Sequence, residues 1–389
     1  MYSKKQVFWA SCIGMMLFGI TMTTLGAILP QVIVKFGIDK VNAGALITLM
    51  GLGILFGSIV FGPIVDRYGY KNLLIVCSAL VLLGLEGIAF STSFNFLRLA
   101  AFIFGFGGGV INGGTNALVS DISEESRSAG LALLGVFFGI GAFGVPFVLG
   151  ILIDVFSYSS IIASVGLMVL IPIIFFILIR FPAPKHIQGF PIKEGVGLLK
   201  EATLLLMGFM LFFQSGMEFT VGGWTAAFFN EELMLGDRAV FFLSLYWLGI
   251  MLTRLVLGLL LKKVSPSFVL KISLGIAFIG ALLMLVSRSL VFATPGIFLI
   301  GVGFAAVYPV VLGYIGDIYP KLSGTAFSIG LVMGLIGGML FPFITGVLGD
   351  NFGLRISFII IPISLICLGI ILLIVLKRFK TYHEDVINI

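Results

Sequence analysis

Glu218 stands inside a long apolar run, 201–229, at the centre of the segment QSGMEFTVGGW. An ionisable group held in hydrocarbon costs about 3 kcal/mol on insertion scales. It must therefore be neutralised by a proton, bound to a cation or to a ligand, or kept wet. Gln214, Glu218, Gly222 and Thr225 recur at helical spacing and share one face, so a polar stripe is expected to face the interior of a bundle. Other apolar runs carry Asn112, Asn116 and Ser120 on one helical face, and a lone cation, Arg254. Side-chain amides both donate and accept, which suits hydroxyl groups on a ligand. These residue types suit ion binding and recognition of a polar solute. No nucleophile–base pair and no metal spacing is present in the chain, so an enzyme is not expected.

The elements that must carry these groups follow from composition. Of the 389 residues 60% are hydrophobic and only 10% are charged, with a mean hydropathy of +1.22. Soluble domains carry about 25% charged residues. Apolar runs long enough to cross about 30 Å of hydrocarbon recur along the whole chain. In lipid the backbone must satisfy its own hydrogen bonds, so the chain reads as an all-α membrane protein. Twelve spans are expected: 7–31, 43–64, 72–92, 96–119, 128–152, 160–180, 202–229, 239–261, 268–289, 294–316, 323–346 and 356–377. The first is too long for a secretory signal and no small-residue cleavage site follows it.

Sixteen of the 23 basic residues fall on the side of the two termini and six on the other, with Arg254 between them. The positive-inside rule then puts both termini in the cytoplasm and the protein in the cell membrane, with lipid headgroups as partners. The net charge of +6 needs no nucleic acid to explain it. Cys12, Cys77 and Cys367 all fall inside spans, with no disulfide or metal pattern.

Shifting the chain against itself by 196 residues aligns Asp121 with Asp317, Pro146 with Pro342, Phe147 with Phe343 and Asp154 with Asp350. It also aligns Gly26, Gly53, Gly105, Gly107 and Gly141 with glycines. Six spans are therefore repeated once in the same orientation: a six-helix bundle over 1–180, a cytoplasmic linker over 181–201 and a second bundle over 202–389. Two pseudo-symmetric bundles suit a transporter that rocks one half against the other around a midplane site.

The segment Gly62-Pro-Ile-Val-Asp66-Arg67-Tyr-Gly69-Tyr-Lys71, between the second and third spans, resembles the G-x-x-x-D-R-x-G-R/K-K loop of the major facilitator superfamily. Asp66 could bond N–H groups at a nearby helix N-terminus and latch the cytoplasmic side, with Arg67 beside it. The alternative is a solvated polar turn. The second copy has Lys262-Lys263 where the first has Asp66-Arg67, so its latch is weakened or absent.

A narrower likeness lies in the fourth, fifth and seventh spans. GMEFTVGGW is similar to the G-x-E-x-x-x-G-x-W element of the fucose/galactose/glucose–cation symporters, and FGIGAFGVP is similar to their F-G-x-G-A-x-x-G-P. That family usually carries an acid four residues before Asn116, where this chain has Asn112, and often an acid in the first span, where it has Thr21, Met22, Thr23 and Thr24. The resemblance implies cation-coupled symport of a hexose-type sugar, with H⁺ or Na⁺ as coupling ion and no other cofactor.

On this reading Glu218 is the coupling residue, and a Na⁺ site, if one exists, lies near it. Gln214, Glu218, Trp224, Asn112, Asn116 and Thr24 are candidate substrate contacts. Trp224 reads equally as a sugar-stacking ring or a member of the outer aromatic belt. Asn112 and Asn116 read as sugar ligands or as interhelical glue. Arg254 reads as a cytoplasmic gate or snorkelling residue, with direct substrate binding as the alternative. At 1.5 Å per residue, Glu218 and Arg254 differ in depth by about 13 Å, which argues against a direct pair. An inventory of one acid, one base and many neutral groups fits a neutral solute carried by a monomer. The alternative is a proton-coupled efflux antiporter for drugs or lipophilic cations, with Glu218 in an aromatic cavity. Efflux antiporters usually place Gly-Pro together in the middle of the fifth span, whereas here Pro146 follows Val145 near its outer end.

Overall fold

The computed structural model describes residues 2–122, 127–183, 197–198, 200–286, 288–319 and 322–387. Twelve helices in it are long and apolar enough to cross a membrane. They are α1 (Lys4–Ala27), α2 (Lys40–Gly62), α3 (Arg67–Ala89), α4 (Phe94–Ile122), α5 (Leu133–Leu152), α6 (Tyr158–Leu178), α7 (Ala202–Leu233), α8 (Gly236–Leu260), α9 (Pro266–Val286), α10 (Leu290–Ile318), α11 (Thr325–Phe352) and α12 (Leu354–Arg378). All twelve expected spans are present. Their ends shift by a few residues, because helices continue past the apolar window into the interface. A short helix, Leu29–Phe36, prolongs α1. Most of the expected linker, 184–196 and 199, lies outside the described residues.

In the first turn of α3 the chain kinks at Gly69, whose φ of 77° and ψ of 167° fall where side-chain-bearing residues are strained. The loop residues beyond it reach within their own half. Tyr70 Oη donates to Asp121 Oδ2 at 2.8 Å, at the end of α4. Lys71 Nζ donates to the carbonyls of Ile177 (2.6 Å) and Ile179 (3.1 Å), satisfying orphan groups at the end of α6. Arg67 is exposed and stacks over Tyr68 at 5.3 Å. The Asp66 side chain lies outside the described residues.

The 196-residue repeat recurs in the packing. A Cβ at Gly105 would strike the Met50 carbonyl, and one at Gly301 the Tyr246 carbonyl. Gly53 meets Phe102 as Gly249 meets Phe298, Gly107 meets Cys77 as Gly303 meets Ser273, and Gly141 meets Met16 as Gly337 meets Phe212. Each contact and its counterpart are related by the same 196-residue shift. Small residues let helices approach to backbone contact where lipid supplies no hydrophobic drive between them. Two six-helix bundles built to one plan result.

The halves meet through α1 with α7, α2 with α11 and α5 with α8. A Cβ at Gly26 on α1 would collide with the Gly222 carbonyl on α7, and one at Gly44 on α2 would press on Pro342 of α11. Thr48 Oγ1 donates across the same seam to the Met339 carbonyl at 2.7 Å. The Gly26, Gly44 and Thr48 contacts lie toward the membrane face opposite the termini, which is therefore drawn closed, while α5 and α8 stay in contact down to Gly135 and Arg254.

Candidate functional site

Glu218 sits one turn before Gly222 on α7, so its backbone lies about 6 Å beneath the point where α7 touches Gly26 of α1, and its carboxyl leans further toward the termini face. Its neighbours come from α7, α8, α10 and α5. The Gln214 amide, one turn earlier, lies against the carboxyl and donates from Nε2 to the Phe304 carbonyl of α10 at 3.3 Å. Tyr246 and Trp247 of α8 are fully buried, with ring centroids 4.9 Å apart. Trp247 stands edge-on to Phe138 of α5 at 5.7 Å, and Tyr246 edge-on to Phe304 at 6.2 Å. The Tyr308 hydroxyl of α10 and the Ser215 hydroxyl lie together beside Gly334. Gln214 Oε1, Tyr246 Oη and Trp247 Nε1 are buried with no hydrogen-bond partner. Among the buried polar residues Glu218 keeps as much access as any, at 9%.

Among the described residues Arg254 makes no ion pair with Glu218, in line with the depth difference, yet it acts on the same cluster. Its guanidinium lies within electrostatic reach of Glu218, Tyr246 and Tyr308, and over the Phe138 ring at 5.5 Å. The depth estimate compared backbone positions. Side chains on a helix lean toward its N-terminus. Helices α7 and α8 are antiparallel neighbours, so Glu218 leans toward the termini face and Arg254 leans away from it. The two groups thus approach each other. They stop short of an ion pair: among the described residues the ion pairs are Lys40–Glu231, Arg238–Asp154 and Arg355–Glu232.

On α4, Asn112, Asn116 and Ser120 form a partly exposed strip, while Ile111, Thr115 and Val119 are buried. The strip lies between the face that packs on α1, marked by Gly108 and Thr115, and the face that packs on α2, marked by Gly109 and Gly113. It is turned toward the interior of the molecule. Asn116 Nδ2 donates to the Asn112 backbone carbonyl at 2.9 Å and to Asn112 Oδ1 at 3.0 Å. Those bonds stay within α4 and glue no second helix.

Two other candidates sit elsewhere. Trp224 is fully buried against Gly346, and its Nε1 donates to the Pro342 carbonyl at 3.1 Å. Its ring fills the α7–α11 contact rather than the space beside Glu218. Thr24 Oγ1 donates to the Ile20 carbonyl of its own helix at 2.7 Å and is fully buried. Phe138, Ser215, Tyr246, Trp247 and Tyr308 join the Glu218 cluster without having been expected there; by sequence the last three read as packing residues. A phenylalanine among the 39 in this chain carries no signal of its own.

The model for the family described as "Major Facilitator Superfamily" matches residues 11–307 and 241–386. The chain belongs to the Major Facilitator Superfamily. Among its relatives, the glucose/mannose transporter GlcP of Bacillus subtilis is 22% identical over 345 residues, covering 84% of each chain. The benzoate transport protein of Acinetobacter baylyi is 22% identical over 374 residues, covering 84% of this chain and 80% of its own. Among solved structures, a point mutant of the nucleoside transporter NupG superposes with a TM-score of 0.79 at 16% identity, covering 96% of this chain and 99% of its own. The protein is a multi-pass membrane transporter of this superfamily, and is not an enzyme. The cargoes named for these relatives differ in chemistry, so membership leaves the cargo of this chain to its own residues.

Proposed function

We propose that this transporter carries a small neutral polyol, a hexose-type sugar, together with H⁺ or Na⁺ by alternating access. The observation that carries the reading is the position of Glu218: a carboxyl one turn beneath the α1–α7 contact, set among amide, phenol and indole groups. A proton or cation there changes the charge directly below the seam that closes the opposite face. That is the differential interaction a coupled two-state device requires. Asn112 and Asn116 supply hydroxyl-matching groups from the other half. GlcP, whose named cargoes are glucose and mannose, supports the same class. In this reading the halves 1–180 and 202–389 rock about the site, the linker 181–201 and both termini lie in the cytoplasm of a cell-membrane monomer, and Asp66 latches the cytoplasmic side.

Arg254 favours a second reading. A guanidinium over Phe138, beside Glu218, could receive a small carboxylate among aromatic rings. Uptake of labelled hexoses into proteoliposomes under separate H⁺ and Na⁺ gradients distinguishes the two. Concentrative hexose uptake driven by one gradient and indifferent to benzoate is expected. Gradient-driven benzoate uptake without hexose uptake would overturn the sugar reading.

Asn116→Ala tests the α4 contribution. A lost hydrogen bond typically costs about 0.5–1.5 kcal/mol, and more if a polar group is stranded. Sugar affinity should fall several-fold while the thermal midpoint without sugar stays within a degree or two, because the native bonds of this side chain are intrahelical. Intact affinity with a lowered midpoint would remove Asn116 from the site.

A further inference from the structure

The geometry points to a two-fold polar clamp at the membrane face opposite the termini, in which each half grips the first turn of one helix of the other half. Lys40 opens α2 and makes three bonds to the second half. Its Nζ donates to Glu231 Oε1 at 2.9 Å, near the end of α7, and to the Gly349 carbonyl at 3.4 Å. Its backbone N–H donates to Asp350 Oδ1 at 3.0 Å, at the end of α11. The first turn of α8 is held in the matching way. Asp237 Oδ1 accepts from Gln31 Nε2 at 2.9 Å, from the prolongation of α1. Asp154, just beyond the end of α5, accepts from Arg238 Nε at 2.9 Å and Nη2 at 2.7 Å.

The repeat relates α1 to α7, α2 to α8 and α5 to α11, and it pairs Asp154 with Asp350. So the start of α2 is gripped by the ends of α7 and α11, and the start of α8 by the ends of α1 and α5. One clamp and its image follow from one plan. Their chemistry differs. On α2 the side chain of Asp39 caps the Asn42 N–H at 2.7 Å, which leaves the Lys40 N–H as an orphan of the first turn. Asp350 satisfies that orphan from the other half and puts negative charge at the positive end of the helix. On α8 the bond to Asp154 is an ion pair between groups more exposed than Lys40 and Glu231, which salt screens more readily. Because all these bonds join separate halves, they form only while this face is shut, so they weight the alternating equilibrium toward that state. The clamp rests on fold and not on cargo, so it stands whichever solute is carried.

The test reads distances in the full-length protein without substrate. Spin labels go at the exposed positions Val34 and Val291, one in each half near this face, with Cys12, Cys77 and Cys367 replaced. Asp154→Asn and Asp350→Asn should each raise the long-distance, open population about two- to fivefold, the double variant more. High salt should mimic Asp154→Asn more than Asp350→Asn. The exchange Asp154→Arg with Arg238→Asp should restore the parental distribution. Glu232→Gln, which breaks a pair to Arg355 at the same face but within one half, should leave it unchanged. A parental distribution in both aspartate variants overturns the clamp. So does an equal shift in Glu232→Gln, which would make the effect one of general surface charge. Thermal midpoints identify any variant that has lost its fold, and the charge exchange then decides.

Discussion

Glu218→Gln should abolish accumulation of cargo against its gradient while leaving exchange of cargo across the membrane largely intact. The substitution keeps the shape of the side chain and mimics its protonated form. It removes the ability to change charge, and coupling needs that change. Only a ligand that interacts differently with the two states can shift an equilibrium between them. A permanently neutral residue 218 gives the driving ion nothing to act on, so the accumulation ratio should fall to unity. Exchange uses only the binding of cargo and the rocking of the halves, neither of which requires the charge. Counterflow and gradient-driven uptake, measured on one proteoliposome preparation, separate the two functions. A Gln variant that still concentrates cargo places the coupling elsewhere. Loss of exchange together with accumulation makes Glu218 a direct ligand of the cargo.

The sequence exposes this site unevenly, for physical reasons. A carboxylate in an apolar run is visible because its cost in hydrocarbon is large and local. The repeat is visible because helix crossings at backbone distance tolerate only glycine, and Gly105, Gly107 and Gly141 keep their counterparts at a fixed shift. What crosses between helices is harder to read. Trp224 lies in the same segment as Glu218, yet its indole turns to the Pro342 carbonyl of α11. Nothing in the local pattern shows that partner, 118 residues away. The electrostatic reach of Arg254 into this cluster is not legible in a count along helix axes, which leaves out the lean of long side chains on antiparallel helices. The clamp at the opposite face was legible only in part. Asp154 and Asp350 stand out as repeat partners, but their contacts with Arg238 and Lys40 depend on how the halves come together.

Gly26→Val should block transport in a protein that remains folded. Gly26 meets Gly222 across the seam between the halves, and a Cβ there would collide with a backbone carbonyl oxygen, which cannot swing away as a side chain can. Overpacking costs typically about 1–3 kcal/mol, occasionally more, which corresponds to about a five- to 150-fold shift in an equilibrium. A clash with rigid backbone belongs at the upper end of that range. The penalty arises only when the opposite face closes, because Gly26 and Gly222 belong to different halves. It therefore acts on the alternating equilibrium and spares the fold of either bundle. Gly141 provides the contrast, since its carbonyl contact, Met16, lies in its own half and persists whichever face is open. Gly141→Val should lower the thermal midpoint and the yield of folded protein. Gly26→Val should keep the midpoint near the parental value, hold the Val34–Val291 label pair at its long distance, and reduce both uptake and exchange at least about tenfold. Both follow because a carrier that cannot close one face cannot complete either half of its cycle. Normal exchange in Gly26→Val would mean that α1 and α7 need not touch there during transport, and the seam would lose its part in the closure of this face.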